Sequence, residues 1–222
     1  MHTTVKKLTL VQDKIKEILN KRQLKTDPKI VVVTKTFSLD KIIPLLEFGH
    51  VHFGENRIQE SENKWLNVNN KYKKLQLHMI GRLQSNKAKA AVKLFDYIHS
   101  LDSEKLASKI AQYEKELGKR TKLFIQVDLA GESQKSGILS KELNHFYEHC
   151  VKDLSLNVIG LMCLPPINAD SNNYFKILKK KSEALNLTHL SMGMSGDYEQ
   201  AILNGSTFLR LGTAILGERK VK

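Results

Sequence analysis

The 222-residue chain is poor in cysteine, proline and tryptophan, with two, four and one, and has no long apolar run. Cys150 and Cys163 stand apart with no metal-ligand spacing around them, which excludes a disulfide framework and a zinc site. Reduced thiols fit the cytoplasm. No Pro/Gly/Ser-rich stretch marks a linker, so residues 1–222 are expected to form one domain. No apolar run approaches the ~20 residues of a membrane helix, so a soluble chain with no membrane partner is expected. Near the start, Lys6, Lys7, Lys14 and Lys16 interrupt the apolar residues, so a signal peptide is not expected and a cytoplasmic address follows. Acidic residues are also short: 23 Asp and Glu face 36 Lys and Arg, for a net charge of +13. That excess raises a nucleic-acid reading, but there is no basic segment interleaved with aromatics, no zinc finger and no ribonucleoprotein motif. Lys179-Lys180-Lys181 reads as a solvated helix face, and no specific nucleic-acid partner is expected.

What the chain does have is alternation of strand and helix signals. Lys29-Ile30-Val31-Val32-Val33-Thr34-Lys35-Thr36 places four apolar β-formers after Pro28, the pattern of a strand buried on both faces of a parallel sheet. Lys35 falls at its end. Ahead of it, Leu8, Val11, Ile15, Ile18 and Leu19 recur at helical spacing, which predicts an amphipathic amino-terminal helix. Behind it, strands are expected at 50–54, 75–80, 97–101, 122–128, 157–163, 188–191 and 207–210. Helices are expected at 39–48, 56–65, 85–94, 106–117, 141–150, 174–185 and 197–203, with a short one at the close. Eight strand-helix units in a chain near the usual barrel length of about 250 residues argue for the α/β class. The fold expected is a single (β/α)8 TIM barrel with an extra N-terminal helix, with a doubly wound open sheet as the alternative.

Ligands of such barrels collect at the carboxyl ends of the strands, and a phosphate is often held by the loops after strands 7 and 8. Here those loops read Ser191-Met192-Gly193-Met194-Ser195-Gly196-Asp197 and Arg210-Leu211-Gly212-Thr213. Gly193, Gly196 and Gly212 allow close backbone approach, and Ser195 and Thr213 add hydroxyl donors. Glycines in such places also serve as plain turn residues. Two loops of this kind together with a lysine after strand 1 shift the balance toward a phosphate site with a lysine amine offered to the bound molecule.

Val33-Thr34-Lys35-Thr36, Phe53-Gly54-Glu55-Asn56, the run His78 to Lys87, Ser191 to Ser195 and Arg210 to Gly217 together resemble the pyridoxal phosphate homeostasis protein family. The resemblance covers nearly the whole chain and implies a barrel similar to the amino-terminal domain of alanine racemase, with pyridoxal 5'-phosphate (PLP) as cofactor. It implies that Lys35 forms a Schiff base, the internal aldimine, with the cofactor aldehyde. By the same resemblance Ser195 and the backbone of Gly212 and Thr213 cradle the phosphate, and Arg210 stands at the pyridine nitrogen. Asn56, His78 and Met162 would lie near the ring, the last two being equally compatible with packing inside the barrel. Arg57, Arg82 and Asp128 stand where the family pattern usually has other residues and bear on the surroundings of the ring. Lys135, after strand 5, is the alternative amine.

The function so implied is PLP homeostasis: holding the cofactor on Lys35 for buffering or delivery, without established turnover. Apo forms of PLP enzymes are the candidate recipients, and a monomer is preferred to a dimer. The rival is a PLP-dependent amino-acid enzyme such as a racemase. In the alanine racemase family the second acid/base group is a tyrosine from an additional carboxyl-terminal domain of the partner subunit, and a chain ending at Lys222 is expected to lack it. No metal is expected.

Overall fold

The computed structural model describes residues 1–66, 68–131 and 136–218. Its strands are β1 (Lys29–Val33), β2 (His52–Glu55), β3 (Gln76–Met79), β4 (Tyr97–Leu101), β5 (Lys122–Asp128), β6 (Ile138–Leu139), β7 (Val158–Met162), β8 (His189–Ser191) and β9 (Phe208–Leu211). Eight of them run parallel in the order β1-β2-β3-β4-β5-β7-β8-β9. β9 then pairs back onto β1 through Lys29↔Phe208 to Val32↔Leu211, closing the barrel. Closure leaves this sheet without an edge. β6 adds two residues alongside the tip of β5, a strand too short to carry a periodic signal.

Each strand is buried on both faces because it separates two cores. Val31, Tyr97, Phe124, Met162 and Phe208 fill the barrel interior. Ile30, Val32, Phe53, Leu77, Ile98 and Leu209 face the helices instead. This accounts for the continuous apolar run of β1, where alternation would mark a half-exposed strand. The leading helix α1 (Thr3–Lys21) buries Leu8, Val11 and Ile15 and is capped by His2, whose Nδ1 accepts from the Thr4 N–H at 3.3 Å. It packs on α2 (Leu39–Glu47), α9 (Tyr198–Leu203) and α10 (Thr213–Leu216), the helices that flank the β9–β1 seam.

The remaining helices are α3 (Ile58–Trp65), α4 (Val68–Lys71), α5 (Ala88–Leu94), α6 (Glu104–Leu117), α7 (Leu143–Glu148) and α8 (Ser171–Ala184). α6 starts on the Ser103 side chain and ends at Gly118, at φ +60, as its sequence indicates. α7 is shorter than expected and runs into a wider π turn over His149–Asp153. β1 also ends early. Lys35 lies in a turn two residues past the strand, because Thr36 takes φ +67, a left-handed conformation that no strand continues through. Among the described residues no helix is long and apolar enough to cross a membrane.

Candidate cofactor site

The carboxyl ends of the strands carry most of the expected residues. Half-buried Lys35 follows β1, Asn56 follows β2, Ser195 lies in the turn after β8, and Gly212 and Thr213 open α10 after β9. Asn56 is wedged against the chain after β3: a Cβ on Gly81 would stand 2.7 Å from Asn56 Cα, so only glycine fits there. Asn56 Oδ1 is buried without a hydrogen-bond partner. Ser195 Oγ accepts from the Ala214 N–H at 3.2 Å, tying the turn after β8 to α10 and leaving the hydroxyl proton as a further donor. A Cβ on Gly196 would meet nothing within 4 Å. Arg210, in β9, is 4% exposed and donates to Ser191 Oγ at 2.6 Å and to the Cys163 carbonyl at 2.9 Å. Burial draws its pKa below the usual guanidinium value, and among the described residues no carboxylate forms an ion pair with it.

His78 and Met162 lie deeper, both fully buried. Met162 packs in the interior cluster. His78 is the centre of a line that sequence reading missed. His52 Nδ1 meets His78 Nε2 at 3.0 Å, His78 Nδ1 meets His99 Nε2 at 2.9 Å, and His99 Nδ1 meets Ser191 Oγ at 2.7 Å, where Arg210 joins. His78 stacks on Tyr97 at 4.2 Å and His99 on Phe124 at 4.4 Å. Burial lowers the pKa of each ring, to about 4 for His52 and well below the usual value for His78 and His99, so the line is neutral at pH 7. The histidines come from three successive strands and give no local signal; only the register that pairs β2 with β3 and β3 with β4 aligns them.

A second missed group surrounds Lys35. The buried carboxylate of Glu55 accepts through Oε1 from Thr34 Oγ1 at 2.6 Å, Lys64 Nζ at 2.8 Å and Trp65 Nε1 at 3.0 Å. Lys64 also donates to the Thr34 carbonyl at 2.8 Å and to Glu60 Oε1 at 2.9 Å, while Glu60 Oε1 accepts from the Thr36 N–H at 2.5 Å. The i, i+4 spacing of Glu60 and Lys64 on α3 was the only signal in the sequence.

Beside these residues a cleft of about 390 Å³ is lined by Arg82, Gln126, Asp128, Cys163, Tyr174 and Met194 among others. None of the eight expected residues lines it; Cys163, whose carbonyl Arg210 holds, connects the two. Lys135 lies outside the described residues. Among the described residues no group of three His, Cys, Asp or Glu side chains could hold a metal ion.

A closed parallel barrel with an amine, a buried guanidinium and two glycine-bearing turns toward the carboxyl ends of its strands belongs to the class of ligand-binding (β/α)8 barrels. The chain belongs to the alanine racemase N-terminal domain family, whose model matches residues 10–220, and within it to the pyridoxal phosphate homeostasis proteins. It is 38% identical to the pyridoxal phosphate homeostasis protein of Synechocystis sp. over 200 residues, 86% of this chain and 91% of that one. A structure of PipY of Synechococcus elongatus with PLP bound matches with a TM-score of 0.78 at 32% identity, covering 91% of this chain and 100% of that one. Alanine racemase of Clostridium difficile 630 shares the fold, with a TM-score of 0.68 at 16% identity over 95% of this chain and 58% of that one.

The donor set present fits PLP: the hydroxyl proton of Ser195, the Cβ-free turn at Gly196 and a buried guanidinium without a carboxylate ion pair among the described residues are donors and positive charge suited to an anionic, phosphorylated cofactor.

Proposed function

We propose that the chain binds PLP at this rim and retains it covalently but reversibly on Lys35, buffering and delivering the cofactor in the cytoplasm as a single-domain monomer. Apo forms of PLP-requiring enzymes are the recipients. The observation that carries the reading is Arg210, a guanidinium 4% exposed with no carboxylate partner among the described residues, in a chain whose relative was solved with PLP. The cofactor supplies an aldehyde that a neutral amine attacks. Ser195 and the backbone amides of Gly212 and Thr213 bind the phosphate, and Asn56 faces the ring. Met162 and His78 underlie it.

Arg210, held by Ser191 and Cys163, takes the side of the pyridine nitrogen. A cation there, in place of an acid, disfavours ring protonation and so weakens the electron sink that amino-acid chemistry requires. The test is borohydride reduction of the PLP-loaded protein followed by peptide mapping. The label is expected on Lys35 and the bound chromophore is expected to be lost in Lys35→Ala; a label on another lysine refutes the assignment.

A further inference from the structure

The geometry points to Glu60 and Lys64 of α3 as positioning residues for Lys35: they clamp the peptide units on both sides of it and hold the turn that presents its amine. The inference rests on the PLP reading above. Lys64 Nζ takes the carbonyl of Thr34, the residue before Lys35, and Glu60 Oε1 takes the N–H of Thr36, the residue after it. The two are joined to each other at 2.9 Å, and Lys64 is anchored to the fully buried Glu55 at 2.8 Å. Trp65, also fully buried, fixes the same Glu55 oxygen from the adjacent position on the helix.

The clamp is needed because the turn is unfavourable on its own. Thr36 is β-branched and sits at φ +67, a conformation that residues with a Cβ adopt at a cost and that persists where the surroundings enforce it. Without the acceptor at Glu60, Thr36 relaxes toward negative φ and the chain direction at Lys35 changes with it. Partial burial raises the Glu60 pKa, but its hydrogen bonds from Lys64 and the Thr36 N–H outweigh this and keep it below the usual range, so the acceptor stays charged. Glu60, Lys64 and Trp65 direct these hydrogen bonds to protein partners around the turn. Their effect is confined to where the Lys35 amine stands.

That confinement gives a test with two probes. PLP carries the aldehyde that Lys35 captures; pyridoxine 5'-phosphate keeps the ring and phosphate but has an alcohol in its place. Glu60→Ala is expected to weaken PLP binding about tenfold, the loss of one charge-assisted hydrogen bond, while leaving pyridoxine 5'-phosphate binding unchanged. Glu60→Gln, which keeps an oxygen for the Thr36 N–H, should stay close to wild type with both probes. The double variant Glu60→Ala/Thr36→Gly should recover part of the PLP affinity, since glycine accepts φ +67 without a clamp.

Equal losses for both probes in Glu60→Ala, or no loss for either, overturn the positioning role. So does a double variant that binds PLP no better than Glu60→Ala. Lys35→Ala serves as the control on the underlying reading: if it still binds PLP more tightly than pyridoxine 5'-phosphate by the wild-type margin, Lys35 is not the capturing amine and the reading itself fails.

Discussion

Replacing Ser195 and Thr213 together by alanine is expected to weaken PLP binding at least about tenfold without abolishing it, because each hydrogen bond to a charged phosphate contributes roughly 1.5 to 3 kcal/mol and the backbone donors remain. A PLP titration of the double variant checks this, and unchanged affinity would move the phosphate elsewhere. The two thiols are expected to be inert in the native protein, since burial pushes both Cys150 and Cys163 up to about 12 and leaves almost no thiolate at neutral pH. Alkylation followed by mass spectrometry should label them only after unfolding. At this scale the positions of Lys35 just after β1, Ser195 after β8 and Arg210 in β9 were legible, because each belongs to a short local pattern. Glu55 and His99 were not: each has a partner on a neighbouring strand or just past its end, Thr34 for Glu55 and His78 for His99, and no local spacing records it.

Among the elements, the turn after β8 is the most constrained. Gly193 sits at φ +92, and a Cβ there would stand 2.5 Å from Ala201 Cβ in α9. Gly193→Ala is therefore expected to cost roughly 2 to 5 kcal/mol, combining left-handed strain with overpacking, which a urea denaturation curve would detect. An unchanged midpoint would contradict the close packing of this turn on α9. The strands of the barrel and their helices could be read from apolar runs and caps because their burial is periodic or continuous over several residues. β6 and α4, with two and four residues, are shorter than any such period. The end of β1 was placed too late because Thr34 and Thr36 favour strands by type, whereas the clamp from α3 sets the backbone there.

For the whole molecule, eight strand signals alternating with helices were enough to indicate a closed barrel, but the interior contents follow from register and were not. The neutral imidazoles make stability depend on pH. His50 and His52 titrate at about 4 in the folded chain because of burial, against 6.5 in an exposed imidazole, so between these values the unfolded chain binds more protons. Stability is expected to fall as pH drops from about 6.5 toward 4, by at most about 1.4 kcal/mol per pH unit for each histidine, with no contribution from this source above 6.5. Urea midpoints at pH 7.5 and 5.5 test the sign, and a midpoint that rises on acidification would refute it. The PLP-loaded protein is also expected not to racemise L-alanine over prolonged incubation. Chiral analysis beside Lys35→Ala would expose turnover that depends on Lys35 and reverse the carrier reading.

The imidazole line also has a direction. Arginine offers no acceptor, so the Ser191 oxygen that receives its N–H has one proton of its own to place. Given to His99 Nδ1, that proton makes His99 Nε2 the donor to His78 and His78 Nε2 the donor to His52, so all three rings carry hydrogen on the same nitrogen. The barrel axis thereby acquires a polarity that runs from the rim to the floor. Reversing it requires every ring to change tautomer together, and ¹⁵N chemical shifts of the native protein should show one sense of the chain and not a mixture.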